Sequence, residues 1–179
     1  GRSVIGIEKR ADVVDLTNQG VPHFSEMGLE QALSRVTSSG NLIAAQEFPE
    51  GISCDAYIIT VGTPLSVDGL VRLDMIEKAA RQVADNMRDG ALVILRSTVM
   101  VGTTRKVVIP ELERVSGLKA GRDFHVAFCP ERTAEGRALE ELRYLPQIVG
   151  GLDEKSIETA SRLFNSYTPT IVNVQSLEA

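Results

Sequence analysis

Apolar residues in this chain follow two rhythms that alternate along its length. Short continuous runs rich in branched side chains occur at Ser3-Val4-Ile5-Gly6-Ile7, Ala56-Tyr57-Ile58-Ile59-Thr60-Val61 and Ala91-Leu92-Val93-Ile94-Leu95. Each is too short for a buried helix and suits a strand covered on both faces, as in a parallel sheet. Further strands are expected over Asn41 to Ala45, His125 to Phe128, Gln147 to Val149 and Thr170 to Val174. Between them lie stretches with helical spacing. These predict helices over Ala11 to Asn18, closed by Gly20, and over Glu26 to Ser39, carried by Met27, Leu29, Ala32, Leu33 and Val36. A third is expected from an N-cap at Asp74, with Glu77 completing a capping box, to about Met87. A fourth should follow Gly102-Thr103-Thr104, with Thr103 as its cap, and end at Ser116-Gly117. A fifth, Glu154 to Phe164, is capped by Asp153, and Ser176 to Ala179 reads as the start of another. Pro49-Glu50-Gly51 is a turn, and 66–69 and the stretch after Arg132 are polar loops.

Strands alternating with helices predict an α/β fold with a doubly wound parallel sheet and right-handed crossovers. Three strands end in small or polar groups: Gly62-Thr63-Pro64, Ser97-Thr98 and Pro130-Glu131-Arg132. In a parallel sheet those ends share one edge, which is where ligands of open α/β sheets bind. The helix start after Gly102 adds free backbone N–H groups suited to an anion. The stretch Ala91 to Thr104 is therefore the expected centre of function.

Composition narrows the partners. The 179 residues are 43% hydrophobic, enough for one globular domain with a real core, or one domain and an appendage. A net charge of -5 and the lack of a basic block argue against nucleic acid. An aromatic content of 4% argues against a base-stacking surface. No apolar run approaches a membrane span, and no signal peptide is visible at the start. Cys54 and Cys129 have neither metal nor CxxC spacing, which fits a reducing cytosol. His23 and His125 have no partner at metal spacing, so no metal site is expected.

Each candidate residue carries a functional and a plain reading. Glu8 closes the first strand, where a dinucleotide-binding fold places an acid on the adenosine ribose diol; the plain reading is a surface pair with Lys9 or Arg10. Lys9 and Arg10 suit a 2′-phosphate, which Glu8 itself would repel. Ser97 and Thr98 are placed to orient a water or a substrate hydroxyl, or simply to cap the following loop. Glu131 is placed as a general base or water holder, against the plain reading of an ion pair with Arg132. Both cysteines are most simply small apolar residues.

Several segments, taken in order, resemble the nucleotide-sugar 6-dehydrogenases of the UDP-glucose/GDP-mannose dehydrogenase family. They are VIGIEKRADVVDLTNQG, GLEQAL, VGTPLSVDGLVRLDMIEKAA, VILRSTVMVGTT, FCPERTAEGRALEEL and LPQIVGG, and they span the chain from about Val4 to Ala179. The resemblance implies a cytoplasmic enzyme that oxidises a sugar C6 alcohol to a carboxylate with two NAD molecules in sequence, as a homodimer or higher homo-oligomer. It implies cofactor contacts at Glu8, Arg10, Gly62, Thr63 and Thr98, and catalytic roles for Thr98 and Glu131. It also implies sugar contacts along the loop that holds Glu131, Arg132, Thr133 and Gly136. Glu135 stands where the family often has proline, so the sugar stays open. The expected domain, 1–175, is then a Rossmann-type sheet lacking its first strand and GxGxxG loop, with 176–179 opening a linker helix. The family's lysine, asparagine and cysteine nucleophile are not among these residues, and Cys129 does not match that cysteine. A non-catalytic α/β nucleotide-binding module is the alternative, and a methyltransferase a weaker one.

Overall fold

The computed structural model describes residues 2–69 and 71–179, so Gly1, at the head of the expected 1–175 domain, and Leu70, in the third resembling segment, lie outside the description. Two compact units result: Gly1–Ile52 with Thr133–Arg143, and Ser53–Arg132 with Tyr144–Ala179.

In the first unit, β1 (Val4–Ile7) pairs in parallel with β2 (Leu42–Ala45). The crossover carries α1 (Ala11–Asn18) and α2 (Leu29–Ser38). Asn18, the last residue of α1, accepts from Ala44 N at 2.8 Å and donates to Ala44 O at 2.9 Å, so one side chain satisfies both backbone groups of a strand residue. α2 begins at Leu29 rather than at Glu26, because Gly28 takes a left-handed φ of 78° that interrupts the helical backbone.

In the second unit, the strand order is β3 (Ala56–Ile59), β4 (Leu92–Leu95), β5 (His125–Phe128), β6 (Gln147–Gly151), β7 (Ile171–Val174). β3, β4 and β5 run parallel, and so do β6 and β7. β5 and β6 are antiparallel, a local departure from the parallel pairing expected, because the chain re-enters at the edge it left: Gln147 Nε2 donates to Pro130 O. Every residue of β4 is buried, as its unbroken apolar run requires. Leu92 and Ile94 share one cluster with Ala160 and Phe164 of α6 (Glu154–Phe164). Val93 and Leu95 alternate to the opposite face and are equally dry. Both faces of β4 are therefore covered, as in the doubly wound arrangement. α3 (Asp74–Asn86) packs on β3 and on α4 (Ile109–Ser116).

Two expected caps do not form. Leu73 occupies the N-cap position of α3 without a side-chain bond, and the Asp74 carboxylate accepts from Arg72 Nη2 at 2.8 Å instead. Thr103 is buried with helical φ and ψ and makes no capping bond. The helix after it opens as a π-helical turn, Thr104–Val108, in which Ile109 N bonds Thr104 O. The cause is Pro110, which has no N–H for Lys106 O and whose ring crowds that carbonyl. An unexpected helix, α5 (Ala138–Tyr144), occupies part of the predicted polar loop, while 177–178 make a turn where a helix start was expected. Asp153 caps α6 as predicted, accepting from Ser156 N at 2.7 Å.

Candidate active-site edge

The C-terminal ends of β3, β4 and β5 are knitted into one polar edge. Arg96 N donates to Ile59 O at 2.9 Å, and Cys129 N to Leu95 O at 3.0 Å, so the ladder continues past the strands. Side chains extend it: Ser97 Oγ donates to Val61 O at 2.7 Å, and Thr63 Oγ1 to Thr98 O at 2.7 Å. Ser97 is thereby committed to holding the next loop. Thr98 is exposed, and its hydroxyl has no hydrogen-bond partner among the described residues, so it stays available to a ligand. Gly62 is exposed, with open space where a side chain would stand.

At the centre of the edge stands a residue that the sequence reading passed over. Arg96, the first residue after β4, is only 9% exposed. Its Nε and Nη2 donate to Glu131 Oε2 at 3.1 and 2.5 Å. Its Nη1 donates to Cys129 O at 3.0 Å and to Gln147 Oε1 at 2.8 Å. The guanidinium carbon lies 5.2 Å from the centroid of the Phe164 ring. A buried cation is tolerable only with such partners: a carboxylate, two neutral acceptors and an aromatic face. Glu131 Oε1 accepts from Arg132 N at 2.8 Å. The expected Glu131–Arg132 ion pair is thus corrected in its partner. Arg132 meets Glu131 through its backbone, and its guanidinium donates to Pro146 O. Arg96 was detectable as a cation directly after a buried strand. The register pairs Leu95 with Phe128, which places Arg96 beside the segment leading to Glu131.

Cys129 is fully buried, and loss of solvent pushes its thiol up to about 12, against a smaller opposing pull from Arg96. It is no nucleophile at neutral pH. Among the described residues no group of three His, Cys, Asp or Glu side chains is placed to hold a metal ion.

The remaining candidates lie in the first unit. Glu8 follows β1, where Glu8 N bonds Ala45 O at 3.0 Å. Its Oε1 accepts from Arg10 N at 2.9 Å, and its Oε2 accepts no hydrogen bond among the described residues. Arg10 is engaged by Asp12, with Nη2 to Oδ2 at 2.5 Å. Gly136 N and Ala138 N donate to the two oxygens of Glu26, at 2.7 and 3.0 Å. Thr133 is half-buried in the same segment. The second unit therefore holds Gly62, Thr63, Thr98, Glu131 and Arg132, and the first holds Glu8, Arg10, Thr133 and Gly136.

A strand-end acid with a free oxygen fits a ribose diol, and that acid, beside an arginine already paired to Asp12, disfavours a 2′-phosphate. No Gly-x-Gly spacing occurs in the sequence. Fold and edge define the class: a dinucleotide-binding α/β domain. The comparisons specify it further. The family described as "UDP-glucose/GDP-mannose dehydrogenase family, NAD binding domain" matches residues 1–168, and the chain belongs to that family. It is 40% identical over 167 residues to the UDP-N-acetyl-D-mannosamine dehydrogenase of Pyrococcus horikoshii, covering 93% of this chain and 40% of the relative. It is 36% identical over 177 residues to the GDP-mannose 6-dehydrogenase of Pseudomonas savastanoi pv. phaseolicola, covering 96% and 40%. The solved structure of the Pyrococcus horikoshii UDP-D-ManNAc dehydrogenase superposes with a TM-score of 0.93 at 38% identity, over 99% of this chain and 42% of that one. A ternary complex of GDP-mannose dehydrogenase from Pseudomonas aeruginosa gives 0.91 at 32% identity, over 99% and 42%. The chain thus spans about two fifths of the length of these relatives. The family's cofactor at this domain is NAD.

Proposed function

We propose that this chain is the cofactor part of a cytoplasmic nucleotide-sugar 6-dehydrogenase, oxidising the C6 alcohol of a UDP-sugar to the uronate for polysaccharide precursors. The whole reaction takes one alcohol, one water and two NAD⁺ to one carboxylate, two NADH and three protons. NAD, when bound, accepts the two hydrides. Glu8 binds the adenosine ribose, and Thr63 and Thr98 line the cofactor edge. In the hydrolytic half, water adds to an acyl carbon held as a thioester on a cysteine elsewhere in the protein. Glu131 takes the proton of that water, and the thiolate leaves. The segment from Arg132 to Gly136 contacts the sugar. In this reading 1–175 act as the NAD-binding domain, 176–179 lead into the following linker, these residues alone are inactive, and the working enzyme is a homo-oligomer.

The observation that carries the reading is the Arg96–Glu131 pair at the convergent ends of three parallel strands, in a chain of this family. No helix among the described residues is long and apolar enough to cross a membrane. The test is the NADH yield of the whole protein with limiting UDP-sugars and GDP-mannose. Two NADH per sugar supports the reading. One per sugar, or none on any nucleotide sugar, rejects it, and NAD binding without turnover points to a non-catalytic module.

A further inference from the structure

Glu131 sits at the sheet edge with its side chain 38% exposed, while Arg96, its partner, is 9% exposed. Glu131 is the one carboxylate in salt-bridge distance of Arg96 among the described residues. An ion pair with one buried partner is a weak source of stability, because desolvating the cation offsets much of the attraction. Its distinctive product is geometry. The guanidinium is planar and rigid, and each of its three nitrogens is engaged. Nη1 is fixed by Cys129 O on β5's extension and by Gln147 Oε1 at the start of β6, and the plane lies near the Phe164 ring of α6. Gln147 is itself fixed, its Nε2 donating to Ile148 O at 2.8 Å. The fork leaves Nε and Nη2 aimed at a single oxygen, Oε2. Arg132 N holds the other oxygen at 2.8 Å. These three N–H groups, two of them on a buried side chain, help to hold the carboxylate.

We infer that Arg96 is a positioning residue for the hydrolytic half of the reaction: anchored by Cys129 O, Gln147 and Phe164, its guanidinium holds the Glu131 carboxylate in place, and it acts on the chemistry only through Glu131. This rests on the role of Glu131 proposed above. Lysine is a poorer holder, since its ammonium lacks the planar fork that aims two N–H groups at one oxygen.

The experiment uses the whole enzyme as wild type, Arg96→Lys, Glu131→Gln and the double variant, with Gln147→Met as a milder loosening that leaves both charges. Arg96→Lys is expected to lower kcat by about 10²-fold, the size of a roughly 1 Å misplacement, with KM for NAD and sugar nearly unchanged. Intact mass should then show the acyl-enzyme accumulating. In the Glu131→Gln background the same substitution should cost less than about threefold, because its route is already removed. Gln147→Met should show the same signature at smaller size, and decides the matter if Arg96→Lys does not fold. Equal losses in both backgrounds, a rise in KM alone, or no acyl-enzyme would reduce Arg96 to a packing role and overturn the inference. A wild type that forms no NADH on any nucleotide sugar would overturn the functional reading, and the inference with it.

Discussion

Arg96 and Glu131 lie 35 residues apart in the chain and meet through one carboxylate oxygen. That contact was only half visible in the sequence. The acid at the end of its strand was legible as a charged group in need of a partner, because a carboxylate there follows an apolar strand and a proline. Its partner was not, because the nearest cation in sequence, Arg132, is the natural guess, and choosing Arg96 needs the β4–β5 register. The cysteines show the opposite case. The plain apolar reading of Cys129 agrees with its complete burial and its raised thiol. Cys54 is only half-buried. At pH 8 an alkylating reagent should therefore modify Cys54 and spare Cys129 in the folded chain, and modify both in denaturant, as read by intact mass. Modification of Cys129 in the folded chain would contradict its placement.

At the scale of elements, local signals worked where one residue decides the outcome, and failed where neighbours compete. β5 and α6 match their predicted spans because an apolar run and an aspartate cap each had no rival. The Asp74 capping box failed because Arg72, two residues back, takes the carboxylate. α5 was unreadable because its backbone start is held by Glu26, which donors 110 and 112 residues away reach only in the fold. Gly151 shows what the sequence hides at an element end. A Cβ there would lie 2.6 Å from Ile157 Cγ1 and 2.8 Å from Ile157 N, so β6 and the start of α6 approach as closely as backbone allows. Gly151→Ala should destabilise the chain by about 1–3 kcal/mol, the usual cost of overpacking. A denaturant midpoint unchanged from wild type would mean that this junction is looser than described.

At the scale of the whole molecule, charge pairs tie the second unit's outer helices and turns together and make part of its stability depend on pH. Glu111 on α4 is held down to about 2, first by Arg114 and then by Arg81 on α3. Asp123 is held to about 2 by Arg122 and by the Lys119 N–H. Both lie below their ordinary values of 4.5 and 3.8, so the fold favours their charged forms. Their stabilisation is in full above those values and fades as pH falls towards 2. The melting temperature should therefore drop over that window, and more shallowly in Glu111→Gln, which starts lower at pH 7. A Glu111→Gln profile parallel to wild type would remove the pair from the account. The doubly wound fold was legible from alternating periods, whereas the antiparallel β5–β6 pairing was not, since it depends on which edge the chain re-enters.

The role we propose for the edge built by β3, β4 and β5 is in the hydrolysis step, with Glu131 as its base. The most direct measurement is a single turnover of the whole enzyme carrying Glu131→Gln, with NADH and intact mass followed together. The amide turns one acceptor into a donor that faces Arg96 or Arg132 N, so some of the rate loss is positional, and the trapped species is the better witness. Hydride transfer should proceed, turnover should fall by about 10²–10⁴-fold, and the acyl-enzyme should accumulate. Normal turnover, or a stall before any NADH forms, would contradict that role.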